Sequence, residues 1–285
     1  MRSMNLSFEL FPPTTPIGTQ NLMKTVSVLS LYCPEFVSVT YGASGSDQEK
    51  TNHIISELLS IGSIDLAPHL TCIGASETTL RPMLDAYVEQ GIRRLVVLRG
   101  DVTSTSGGLS SPFRYASDLV RWINEAYPNV FSISVACYPE THPESLNANC
   151  DFEFFLEKAS QGVESAITQY FYNPDAYECF LERLAKVNCE LPIIPGIMPI
   201  SNLDSLIRFS ARCGAELPRW LLSDLSSYQH DPRGLVARGV DIVANFCEKV
   251  ISLGAPGLHF YTLNKSETTA AVINSLNLEP DVQSV

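Results

Sequence analysis

The 285-residue chain is 45% hydrophobic and 18% charged, which is enough apolar material for one large core and excludes a disordered or fibrous protein. Its formal net charge of −12 and pI near 4.8 leave no basic footprint for nucleic acid or an anionic membrane. No apolar run approaches the ~18 residues of a membrane-spanning helix, and MRSMNLSFEL has no signal-like segment, so the chain reads as soluble and cytoplasmic.

Short β-rich runs alternate with amphipathic stretches along the whole chain. Strands are predicted at 6–10 (LSFEL), 36–41 (FVSVTY), 66–72 (LAPHLTC), 93–100 (RRLVVLRG), 131–138 (FSISVACY), 165–171 (SAITQYF), 192–198 (PIIPGIM) and 258–263 (LHFYTL). Helical patterns fall between them near 19–31, 48–61, 77–90, 114–126, 151–161, 174–187, 202–212 and 235–252, with another near 266–275. Gly91 and Gly162 follow two of these and suit left-handed C-caps. Eight strands with intervening helices fit one (β/α)8 TIM barrel of the usual size, about 250 residues, so residues 1–285 are expected to form a single domain. A doubly wound sheet is the alternative. It would place a glycine-rich turn after the first strand, where this chain has FPPTTP.

Strand parity locates a site. In LSFELF, Leu6, Phe8 and Leu10 share one face while Ser7, Glu9 and Phe11 share the other. The wholly apolar set belongs against the surrounding helices, so Glu9 faces the barrel axis near the strand's C-terminal end, where barrel enzymes keep their active sites. Pro12-Pro13 ends the strand at once. The other strand ends supply Thr40, Tyr41, His69, Thr71, Arg99, Asp101, Tyr138, Gln169, Asn264 and Lys265. Such a collection at one end of a barrel makes a polar pocket.

Flanked by Phe8 and Phe11, the Glu9 carboxyl should be poorly solvated and its pKa raised above the ordinary ~4.3, which suits a general acid. The other reading is a buried glutamate neutralised by a neighbouring arginine. Asp101 follows Arg99-Gly100, and that order equally fits a surface ion pair. Strand 1 lacks the HxH of metal-dependent barrel hydrolases, and His69, His142 and His259 stand alone; His53 and His230 read as solvated, so no metal is expected. No predicted strand holds a lysine for imine chemistry. The eight cysteines are scattered without a CxxC pair and read as reduced, mostly buried thiols.

SFELFPP (7–13), FVSVTYGA (36–43), APHLTC (67–72), LRGD (98–101), YASDLV (115–120), AITQYF (166–171), IIPGIMPISN (193–202) and HFYTLN (259–264) together resemble the 5,10-methylenetetrahydrofolate reductase family. The blocks run in the family's order and cover nearly the whole chain; it is the short, prokaryote-type form, the catalytic barrel alone, that they resemble. The resemblance implies FAD, folate and nicotinamide sites at the C-terminal face of the barrel. It also implies reduction of 5,10-methylenetetrahydrofolate to 5-methyltetrahydrofolate by NADH or NADPH, in ping-pong order through the flavin. By position, Glu9 matches the general acid that protonates folate N10, and Asp101 the aspartate near the flavin and pteridine. Gln169 matches a glutamine contacting folate and the nicotinamide donor, and Phe209 an aromatic on which ligands stack. Ser205 and Lys265 fall at substrate positions often held by glutamine and arginine. Thr40, Tyr41, Ala43, His69, Arg99, Gly100, Asp101, Tyr115, Ala116, Ala136, Tyr138, His142, Asp151 and Lys158 match positions lining the FAD. Phe154 and Glu157 replace polar or basic residues near its phosphates, and Glu157 is expected to point to solvent. Two other readings stay open: a flavin-independent reductase of the same fold, or a folate- or flavin-binding barrel that needs an electron-supplying partner. No nucleic-acid or membrane partner is expected, and a homo-oligomer is compatible with the sequence.

Overall fold

A computed structural model of the chain describes residues 4–41, 45–62, 64–100, 112–276 and 278. In chain order the elements are β1 (Asn5–Leu10), α1 (Pro16–Leu29), β2 (Phe36–Val39), α2 (Gly45–Ile61), β3 (Leu66–Thr71), α3 (Glu77–Glu89), β4 (Arg94–Leu98), α4 (Ala116–Ala126) and β5 (Ser132–Cys137). They continue as α5 (Ala148–Ala159), β6 (Ser165–Thr168), α6 (Pro174–Lys186), β7 (Ile193–Ile194), β8 (Gly196–Ile197), α7 (Leu203–Cys213), α8 (Arg219–Ser226), α9 (Pro232–Ser252), β9 (Gly257–Tyr261) and α10 (Ser266–Ser275). Local chemistry sets many boundaries. Thr15 caps α1 by accepting from Gly18 N at 3.1 Å, with Pro16 opening the helix. Asn173, Asn202 and Asp231 cap α6, α7 and α9 in the same way. Gly91 and Gly162 adopt the expected left-handed conformation, with φ of 82° and 84°.

Every paired strand is parallel, in the order β7-β6-β5-β4-β3-β2-β1-β9-β8. β7 and β8 are two halves of one segment broken at Pro195, the first pairing with β6 and the second with β9, so this segment closes the barrel. Proline has no N–H to give to a ladder. Its carbonyl accepts from His259 N at 3.0 Å, and the next amide, Gly196 N, turns to Thr168 Oγ1 at 2.8 Å. The (β/α)8 expectation holds, and the broken strand and the additional helix α8 are what it lacked. Most strands also stop short of their predicted runs, β2, β4, β6 and β9 by two or three residues. On β2 and β6, Thr40 and Gln169 make the last cross-strand bonds, to Leu10 O and Cys137 O, and the rim begins there.

Leu6, Phe8 and Leu10 are buried in the shell between strands and helices, as parity required. Inside the barrel, Phe36, Ala67, Val96 and Ile167 form a small separate cluster, with Leu98 and Ile194 against it. This plug leaves the axial space above it to the polar residues of the strand ends. No helix of the described residues is long and apolar enough to cross a membrane. All eight cysteines are free, and against the expectation of mostly buried thiols only Cys72, Cys137 and Cys247 are buried, while Cys33 and Cys179 are exposed.

The closing segment is intolerant of side chains. A Cβ on Gly196 would lie 2.2 Å from Thr168 O and 2.6 Å from the Tyr261 ring. We expect Gly196→Ala to destabilise the fold by at least about 1–3 kcal/mol, the usual cost of overpacking, read as a lower urea midpoint. An unchanged midpoint would mean that β8 does not close against Tyr261.

Candidate active site

Glu9 is held from three sides. On β1 it pairs with Ser38 of β2 and Tyr261 of β9. Thr262 Oγ1 donates to the Glu9 carbonyl at 2.7 Å, and Asn264 clamps the residue beyond, accepting from Phe11 N at 3.0 Å and donating to Phe11 O at 2.8 Å. Leu263 and Asn264 take up φ of 49° and 56° to make that clamp. Asn264, read from sequence as a pocket residue, is thus spent on holding the end of β1 in place.

The carboxyl sits in a nearly dry setting. Its side chain is 22% exposed, and its Oε2 lies 3.6 Å from Nε2 of His69, too long for a hydrogen bond. Burial pushes Glu9 up to about 8 and His69 down to about 3. Near neutral pH the pair is therefore a carboxylic acid beside a neutral imidazole. Among the described residues no arginine or lysine pairs with Glu9, which removes the arginine-neutralised alternative. Below, His259 Nδ1 and Ser7 Oγ share a 2.8 Å hydrogen bond, and burial with His69 nearby lowers His259 to about 3. His69 Nε2 and the Ser38 hydroxyl are buried without a hydrogen-bond partner in the protein, an arrangement that favours a polar guest or water beside Glu9.

Two cavities meet at this point. The axial one, of about 660 Å³, is lined by Glu9, Thr40, Tyr41, His69, Gly100, Ala136, Tyr138, Gln169 and Phe209. The second, about 510 Å³, is lined by Arg99, Gly100, Tyr115, Ala116, Ala136, Tyr138, His142, Asp151 and Lys158. Leu98, Gly100, Ala136 and Tyr138 belong to both, so the two form one groove across the tops of β4 and β5. Small residues at the junction keep it open. Gly100 has φ of 83°, and a Cβ there would come within 3.0 Å of Thr71.

The second cavity has its own electrostatics. Arg99 donates to Glu144 Oε2 at 2.6 Å, which holds the Glu144 carboxyl below the usual range. Asp151 accepts from His142 N and Ser145 Oγ, both at 2.9 Å, and so shapes the β5–α5 loop. The Lys158 ammonium donates to Ala136 O, and burial lowers its pKa. Tyr115 and Phe154 stack at the rim, centroids 6.1 Å apart and 21° from parallel. Glu157 is exposed, as expected, yet stands in the lining of this cavity.

The groove thus gathers nearly all the residues that sequence pointed to. Ser205 and Lys265 line neither cavity: Ser205 sits one turn before Phe209 on α7, and Lys265 is exposed at the start of α10. Asp101 and Ala43 lie outside the described residues. Tyr170, Met198, Tyr261 and Leu263 line the axial cavity and were not singled out. Alternation from His259 would have turned Tyr261 inward. Tyr170 follows the end of β6, where alternation no longer applies.

The model of the family described as methylenetetrahydrofolate reductase matches residues 1–277. A 5,10-methylenetetrahydrofolate reductase of Pectobacterium carotovorum subsp. carotovorum is 37% identical over 98% of this chain and 92% of its own length. The chain belongs to the methylenetetrahydrofolate reductase family. Within this family of oxidoreductases, the enzyme of Escherichia coli (strain K12) is 36% identical over 97% of this chain and 92% of its own length. Methylenetetrahydrofolate reductase 1 of Schizosaccharomyces pombe is 34% identical over 95% of this chain, which spans 46% of that longer protein. In fold, the chain is similar to an uncharacterized protein from Clostridium thermocellum that binds two copies of 5-methyl-5,6,7,8-tetrahydrofolic acid (TM-score 0.66, 15% identity, 96% of this chain and 94% of that one).

A buried acid in the family's barrel has a thermodynamic signature. Between the unfolded value of about 4.5 and the folded value of about 8, the folded state holds a proton on Glu9 that the unfolded state has lost. Stability therefore falls as pH rises through that window. Against Glu9→Gln, the wild type should lose on the order of a few kcal/mol between pH 5 and pH 9, at about 1.4 kcal/mol per pH unit of offset, measured from urea midpoints. Parallel pH profiles for the two proteins would show that the carboxyl is solvated.

Proposed function

We propose that this protein reduces 5,10-methylenetetrahydrofolate to 5-methyltetrahydrofolate, taking electrons from NADH or NADPH through bound FAD. The observation that carries the reading is a carboxyl group kept protonated up to about pH 8, opening onto a cavity large enough for stacked ring systems. Full-length similarity to named reductases supports the choice of substrate.

The residues present fit the flavin dinucleotide. Arg99 and Lys158 supply cations for a diphosphate, and Tyr115 with Phe154 offers an aromatic wall at the far end of the groove. Gly100 and Ala136 at the junction leave room for a ring system to pass close to the backbone. When bound, FAD would accept a hydride from the nicotinamide and pass it on to folate.

The protein's own part is acid catalysis and positioning. Glu9 gives its proton to folate N10, the bond from N10 to the bridging methylene breaks, and the electron pair stays on N10. The methylene, now an iminium at N5, becomes the methyl group on receiving hydride. Neutral His69 beside Glu9 lets the carboxyl keep its proton, because a cation there would pull the pKa down. Gln169 accepts from Tyr170 N through Oε1 at 3.0 Å, which leaves its amide nitrogen for the ligand. Phe209, 39% exposed, gives a stacking face on α7. Asp101 lies outside the described residues and enters this reading only through its match to the family's aspartate near the flavin and the pteridine.

Three outcomes test this reading. Purified protein given FAD should show flavin absorption bands; their absence would favour direct transfer from nicotinamide to folate. In anaerobic stopped-flow, Glu9→Gln should leave flavin reduction by NADH within about twofold while slowing folate reduction by about 10²–10⁴-fold. Equal losses in both half-reactions would remove Glu9 from the acid role. The folate half-reaction of the wild type should decline as pH rises through about 8, where Glu9 loses its proton, and flavin reduction should not follow that limb.

A further inference from the structure

Beside the axial cavity lies a third hollow, about 380 Å³, whose lining includes Gln169, Tyr170, Phe209, Arg212, His142 and Glu144. Gln169, Tyr170 and Phe209 also line the axial cavity, so a ligand stacked on Phe209 can run on into this space. Arg212 stands one helical turn beyond Phe209 on α7, at the i, i+3 spacing that puts two side chains on the same face.

Charge makes this hollow unusual. In a protein of net charge −12, the Arg212 guanidinium has no ion pair and no hydrogen bond among the described residues. Glu144, the acid in the lining, is already bound to Arg99 at 2.6 Å. Glu140, on the loop leading to His142, accepts from Glu216 N instead. Within the lining the one acid, Glu144, is thus paired with Arg99, and the Arg212 guanidinium is left without an ion-pair partner. His142 adds none near neutral pH, because burial and Arg99 lower its pKa.

We propose that Arg212 anchors an anionic group, a phosphate or carboxylate, carried by the ligand that stacks on Phe209. The inference rests on the functional reading above, in which both exchanging ligands carry such groups: a diphosphate on the nicotinamide dinucleotide and carboxylates on the folate tail. A cation that recognises a charge common to both suits one surface used in turn by two molecules. A 2′-phosphate on the dinucleotide would be a further candidate for the same guanidinium.

Isothermal titration calorimetry on FAD-loaded protein, with NAD⁺, NADP⁺ and 5-methyltetrahydrofolate as probes, tests the proposal. Arg212→Gln should weaken at least one probe by about tenfold, Arg212→Glu by more, and Arg212→Lys by less. The losses should shrink as salt is raised, because the contact is exposed and screened. Loss confined to NADP⁺ assigns the 2′-phosphate, loss for both dinucleotides the diphosphate, and loss for folate alone the tail carboxylate. Affinities within twofold of wild type for all three probes, while Phe209→Ala still weakens them, would overturn the role of Arg212 and leave the functional reading intact. If Phe209→Ala also has no effect, or wild-type protein binds none of the probes, the site reading fails and the inference with it. Equal melting temperatures for the Arg212 variants would confirm that binding, not folding, is being read.

Discussion

The desolvation of one carboxyl group organises this barrel. Glu9 keeps a proton near neutral pH because the wall of parallel strands withholds water from it and because its neighbour His69 is itself too buried to carry charge. Neither condition could be met by β1 alone. Both need the barrel to close, which happens through a two-part strand broken at Pro195 and a glycine that lets Tyr261 and the Thr168 carbonyl approach it. Tyr261, in turn, lies beside Glu9 in the β1–β9 register and donates to Thr168 O at 2.7 Å. Closure and acidity are thus coupled through the same few residues.

The groove that starts at Glu9 shows how a strongly acidic chain makes room for anionic ligands. Arg99 and Lys158 are placed along its length, and Arg212 stands at its side. Acidic neighbours are held by hydrogen bonds: Asp151 by a backbone amide and a serine, Glu144 by Arg99, Glu140 by the Glu216 amide. Net charge describes the surface as a whole, while the sign of the potential in a groove depends on which charges are left uncompensated there. Family membership adds a further constraint, since similarity to the bacterial reductases runs over 98% and 97% of this chain and so takes in the strand ends that line the groove.

Much of this was legible before any coordinates. The period-two pattern of LSFELF put Leu6, Phe8 and Leu10 outside and Glu9 inside, because side chains on a strand must alternate. The order of strands and helices implied the barrel, and the barrel implied that polar strand ends converge. What alternation could not show was the fate of residues beyond the last ladder bond: Tyr170 lines the cavity, Asn264 is consumed in clamping Phe11, and Ser205 and Lys265 stand outside both cavities. Helix α8 escaped notice because eight residues give few turns from which to read a period.

Sequence alone thus determined the fold class, the inward face of β1, the family and most of the residues that meet in the groove, since each follows from local periodicity or from residue identity at a fixed order. Tertiary structure decided which charges survive. Whether Glu9 would meet an arginine, a solvated histidine or a dry neutral one depends on contacts between strands remote in the chain, and electrostatic energy in a low-dielectric interior is set by those contacts and not by the neighbours in sequence.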